Sequence, residues 1–240
     1  MHEAERIINQ IEGAATNQVA RSEAAPIVSI APVPSQRGRW TELLGANYRS
    51  RTLIVWALWA AVYFVSNGLN NWLPSLYSTV YRLPLQQSLR AASMTNVAQV
   101  AILLVCVFCI DRIGRKKWMS ASLLAGAGAL LILGLFGSDS VRTVMVLATF
   151  GYGVVGSANA VLYLYTPEIY PTRMRAIGTG LATCWLRLAS ALGPVVVGAV
   201  ISRKGTSSVF LMFALAAVVG AVAATRMIET RARRLEAIAS

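Results

Sequence analysis

The chain has 240 residues, 56% of them hydrophobic, with a mean hydropathy of +0.57 and a formal net charge of +12. That apolar share exceeds what one soluble core needs, which excludes an ordinary soluble domain. The cations stand between apolar blocks rather than on one aromatic-interleaved face, which excludes a nucleic-acid binder, and Cys106, Cys109 and Cys184 lie inside those blocks, which excludes a disulfide framework.

Residues 1–51 are polar. Ile7, Ile8 and Ile11 share a face of a short predicted helix beside Glu3, Glu5, Arg6 and Glu12, and Pro26, Pro32 and Pro34 then mark a flexible linker. The stretch has neither the basic start nor the continuous apolar run of a signal peptide, and it reads as a cytoplasmic leader. His2, the sole histidine, has no company that would make it catalytic.

A membrane helix needs roughly 20 predominantly apolar residues to cross about 30 Å of hydrocarbon. Six segments qualify: Leu53 to Val80, Ala91 to Ile110, Trp118 to Gly137, Val141 to Thr166, Ala176 to Ser202, and Ser207 to Ile228. The first contains Gly68 and Pro74, which predict a bend in its outer third. Residues 52–230 therefore form a six-helix transmembrane domain of all-α class, followed by a tail over 231–240. Recurrent small residues, such as Gly151, Gly153 and Gly156, allow the helix backbones to approach closely.

Orientation follows from the cations. Arg37, Arg39, Arg49, Arg51, Arg112, Arg115, Lys116, Lys117, Arg173, Arg175, Arg226, Arg231, Arg233 and Arg234 fall on one side of the predicted membrane; Arg82, Arg90, Arg142, Arg203 and Lys204 fall on the other. Cytoplasmic loops retain the excess of Lys and Arg, so both termini are expected in the cytoplasm. The expected location is the cell (inner or plasma) membrane, with the lipid bilayer as an obligatory partner.

Polar residues inside the spans recur at helical spacing. Tyr63, Asn67, Asn70 and Asn71 share a face of the first span, Tyr152, Gly156, Asn159 and Tyr163 one of the fourth, and Asn96 and Gln99 one of the second. These faces, with Arg187 near the middle of the fifth span, predict a lined substrate cavity, against the alternative that they are interhelical hydrogen bonds. An Arg at the bilayer centre costs about 2.5 to 3.5 kcal/mol on insertion scales and requires a partner. The spans contain no Asp or Glu. The partner is an anionic substrate group, a carboxylate of a missing N-terminal half, or backbone carbonyls and water, and the sequence does not choose between them. Trp56, Trp59, Trp72 and Trp185 read equally as cavity walls or as lipid-interface anchors.

Two loops carry motifs. Asp111-Arg112-Ile113-Gly114-Arg115-Lys116-Lys117 follows the second span, and Pro167-Glu168-Ile169-Tyr170-Pro171-Thr172-Arg173-Met174-Arg175 follows the fourth. With Gly178, Gly180, Arg187 and Pro194 continuing the second motif, the chain from Thr41 to about Arg234 resembles the C-terminal half of the major facilitator superfamily, in its sugar-porter and organic-ion branches, including transporters of nicotinate-like aromatic acids. Val107 stands where the fuller first motif has Gly. The resemblance implies six helices arranged as two inverted three-helix repeats. It also implies that Asp111, Arg112, Gly114, Arg115, Glu168, Arg173 and Arg175 build a charge network that latches a cytoplasmic gate; the alternative is that these charges only enforce topology.

The function so implied is secondary transport of a small organic solute, a carboxylate-bearing ion or a sugar, by alternating access. The family fold uses two such halves, so transport by this chain alone is expected to be incomplete, and the alternative is a non-transporting half that pairs with another membrane subunit. If a symporter is proton-driven, its proton carrier lies elsewhere, because the spans supply no titratable carboxylate or histidine. Enzymatic activity, a metal and a cofactor are not expected, since nothing meets the test of a nucleophile beside a base.

Overall fold

The structure, a computed structural model, describes residues 39–136 and 140–231. The predicted helix around Ile7, Ile8 and Ile11, the prolines after it, His2 and most of the predicted tail lie outside the described residues. A short 3₁₀ helix, Trp40–Leu44, precedes α1, Arg49–Thr79. Then follow α2, Leu85–Ile113; α3, Arg115–Phe136; α4, Val141–Glu168; and α5, Arg175–Thr225. α2 exceeds its predicted span at both ends and α4 at its C-terminal end, α1 and α3 start a few residues early and stop one residue early, and α5 stops three residues short of the sixth predicted span.

Among the described residues five helices are long and apolar enough to cross a membrane, but α5 has 51 residues. At 1.5 Å per residue it would extend about 77 Å, more than twice a hydrocarbon core. It does not run straight: Gly205 sits at φ 76° and ψ −179°, a backbone conformation open essentially to glycine, and there the chain reverses. Phe213 on the second arm and Gly193 on the first both meet Gly68 of α1, so the arms lie side by side. Six passes result, with the turn between the predicted fifth and sixth spans. Gly68 and Pro74 lie within α1, whose helix runs through both.

With lipid outside, apolar surface gains little from moving inward, and helix association depends on close packing and hydrogen bonds. A methyl group on Gly68 would come within 2.5 Å of the Phe213 ring, and one on Gly134 within 2.5 Å of Leu211. Hydrogen bonds stitch the helices: Trp118 Nε1 donates to Ser157 Oγ at 3.1 Å between α3 and α4, and the Thr95 and Thr149 hydroxyls meet at 2.9 Å between α2 and α4. Trp59 and Trp72 are neither walls nor interface anchors. Trp59 is fully buried and donates from Nε1 to Thr166 Oγ1 at 2.9 Å, while Trp72 packs edge-on against Phe210 at 5.2 Å. By contrast, α2 buries only Ser88, Thr95, Cys106 and Ile110.

Candidate functional site

The polar residues of α1, α2 and α4 converge through one phenol. Tyr152 on α4 places its hydroxyl 3.3 Å from Asn70 Oδ1 and 3.1 Å from Asn96 Oδ1, so one proton is shared between α1 and α2. Asn96 itself donates from Nδ2 to the Ala92 carbonyl at 3.1 Å. One turn along α4, Gly156 leaves the space that the Gln99 amide occupies; a Cβ there would collide with it. Asn67 Nδ2 donates to Ser190 Oγ at 2.6 Å, which ties α1 to the first arm of α5.

An aromatic group packs behind this face. Trp59 stacks on Tyr63 at 5.2 Å and meets the edge of Tyr163 at 4.9 Å. Asn70, Asn71, Asn96, Tyr163 and Arg187 are exposed, whereas Asn67, Gln99 and Asn159 are half-buried. Asn159 Oδ1 is a buried acceptor with no hydrogen-bond partner among the described residues. Leaving it unpaired costs about 1–3 kcal/mol, so the site favours a donor there. Arg187 makes no hydrogen bond or ion pair with the described residues, and no hydrogen bond among them joins it or Asn71 to the Tyr152 group. Ser190, which sequence reading passed over, lies three residues beyond Arg187 and on the same side of the helix.

The motif loops meet at one end of the bundle, where two groups form. In the first, Arg115 reaches Asp111 at 2.8 Å and Glu168 at 3.5 Å. Asp111 is 78% exposed, so its pair contributes about 0–1 kcal/mol, and the Glu168 pair, with both side chains about four-fifths buried, matters more. Glu168 also accepts the Thr230 hydroxyl. Glu229 accepts the backbone N–H groups of Arg115 at 3.0 Å and Lys116 at 3.3 Å, a carboxylate on the first turn of α3, where the helix dipole favours it. Gly114, at φ 98° and ψ 151°, makes the approach possible, since a Cβ there would lie 2.7 Å from Glu229 Oε2.

In the second group Arg173 pairs with Glu42 at 2.9 Å, and Arg175 Nε donates to the Tyr170 carbonyl at 3.1 Å. The Tyr170 hydroxyl donates to Thr52 Oγ1 at 3.1 Å, and that hydroxyl passes its own proton to the Leu43 carbonyl at 2.9 Å. Burial pushes the Tyr170 phenol above its ordinary range, against the lowering effect of the Thr52 contact, which keeps it a neutral donor. The expected single network is thus two, and Arg112 is exposed and joins neither. Glu42 and Glu229 were not foreseen, because each lies over a hundred residues from the motif residue it meets and no local spacing announces such a pair.

A family model described as "Sugar (and other) transporter" matches residues 1–240. The "Niacin transporter NiaP" of Acinetobacter baylyi is 32% identical over 98% of this chain and 53% of its own length. The "Organic anion transporter 3" of Homo sapiens is 36% identical over 38% of this chain and 17% of its own length. Among solved structures, the inward-open xylose transporter XylE from E. coli superposes with a TM-score of 0.55 at 16% identity, covering 75% of this chain and 48% of that one, a likeness of fold. The chain spans about half the length of the first curated relative it matches.

Proposed function

The chain belongs to the sugar (and other) transporter family, and from that premise we propose that it is a six-helix half of a secondary transporter that moves a small organic solute by alternating access. Its helices form half of a major-facilitator fold, and the family's activity is transport rather than catalysis. The second half of the cavity is supplied by a further six-helix unit, residues 1–51 are the cytoplasmic leader, 52–230 the membrane domain and 231–240 the cytoplasmic tail, and the host is the cell membrane.

One observation carries the reading: the Tyr152 phenol draws Asn70 and Asn96 into a shared polar face across three helices. Around it Tyr63, Asn67, Asn71, Gln99, Asn159 and Tyr163 contact the solute, with the bare Asn159 oxygen as acceptor and Arg187 holding a carboxylate by its planar fork. Asp111, Arg115, Gly114 and Glu168 hold the gate, Arg173 and Arg175 brace it through Glu42 and the Tyr170 carbonyl, and Arg112 serves topology.

The probe is labelled niacin, an aromatic carboxylate named by one relative, bound to the chain in vesicles. Its uncharged amide should compete about tenfold or more weakly, since a charged hydrogen bond is lost. Arg187→Lys should weaken niacin binding by a similar factor with membrane insertion unchanged. Equal competition by acid and amide, or wild-type binding in Arg187→Lys, would refute a carboxylate site.

A further inference from the structure

Away from the polar face, α1 and the two arms of α5 enclose an apolar groove of about 540 Å³ on the outside of the bundle, lined by residues that include Phe64, Leu192, Val196 and Ala216. At Met212 and Leu215 it continues into a second recess, of about 640 Å³, whose other walls include Arg203, Lys204 and Ser208. Among the described residues no carboxylate lines either recess.

The two ends of this groove differ in chemistry. Leu192 and Leu215 are 54% and 65% exposed, so the groove opens outward, toward acyl chains in a membrane. Arg203 and Lys204 sit at the Gly205 reversal, where the helix pair leaves the hydrocarbon. Both are exposed and have no ion pair among the described residues. Ser208 Oγ donates to the Lys204 carbonyl at 3.0 Å, which ties the second arm's first turn back to the first arm. From Arg203 down to Leu192 the first arm descends about 16 Å, close to the depth of one leaflet.

We propose that this groove is a binding site for one anionic phospholipid, with the phosphate between Arg203 and Lys204 and an acyl chain along Val196, Leu192, Met212 and Leu215. Charge complementarity selects this occupant. A purely apolar partner leaves both cations unused, and a zwitterionic headgroup brings its own positive charge against them.

The test places a reporter at the junction of the two recesses. Leu215→Trp is introduced into the full chain, which is reconstituted into vesicles containing either brominated phosphatidylglycerol or brominated phosphatidylcholine of the same acyl composition. Quenching beyond that of the parent chain gives the relative association constant of each lipid at the groove. Phosphatidylglycerol should be favoured about fivefold or more, the scale expected for basic residues at an anionic surface. Arg203→Gln with Lys204→Gln should bring that ratio close to one, and Arg203→Lys with Lys204→Arg should restore it. Equal association of both lipids, a preference that survives the double Gln change, or no extra quenching by either lipid would overturn the proposal. Loss of the preference on adding soluble glycerol phosphate would assign the cations to a free anion and overturn it as well.

Discussion

Gly114 is where two demands fall on one residue. Its φ of 98° and ψ of 151° lie in a region that side chains other than glycine enter at a cost of order 1–3 kcal/mol, and its missing Cβ is the room in which Glu229 reaches the N–H groups of Arg115 and Lys116. Gly114→Ala should therefore lower stability by about 2 kcal/mol or more, measured as thermal unfolding of the detergent-solubilised chain. A loss under about 0.5 kcal/mol would mean that the loop relaxes freely. At this scale the sequence is a partial guide. Asn70 and Asn96 were legible as members of polar stripes, because helical spacing shows which residues share a face. That the Tyr152 phenol joins the two stripes was not, since it depends on how two helices approach across a gap that spacing does not encode.

At the scale of elements, hydropathy located every pass, for a physical reason: backbone polar groups in hydrocarbon must be satisfied within the helix, so each pass is a long uninterrupted apolar run. The turn between the last two passes was marked by Arg203 and Lys204 even though the helix is continuous by hydrogen bonding on either side of Gly205. A Cβ on Gly205 would meet nothing within 4 Å, so any penalty there comes from the backbone alone. Gly205→Ala should cost about 1–3 kcal/mol of stability and should not be rescued by trimming neighbouring side chains. Combined with Gly114→Ala, the two losses should add, as expected of separate sites. The roles of Trp59 and Trp72 were illegible at this scale, because an indole fits a core, a cavity wall or an interface equally well until its neighbours are known.

For the whole molecule, the pairing of Arg115 with Glu168 joins the start of α3 to the end of α4, and any motion of one loop against the other must strain it. Cys184 is exposed on the first arm of α5 and is a native reporter of such motion. Glu168→Gln should change the rate at which a water-soluble maleimide labels Cys184 by several-fold, the scale of a half-buried charged contact. An unchanged rate would leave the contact as a fixed brace. The exposed surface of α2, which buries four side chains along 29 residues, has the chemistry of a helix awaiting neighbours, either lipid or the second half of the cavity.

The carboxylate of Glu229 has one more consequence, in the order of manufacture. The N–H groups it caps belong to Arg115 and Lys116, 114 and 113 positions earlier. On a ribosome adding about 5–20 residues per second, α3 is complete at Phe136 roughly 5 to 19 seconds before its own first turn is satisfied. The nascent protein therefore spends that interval with the Gly114 loop open to water. The segment that carries Glu229 then closes a junction set down well before it.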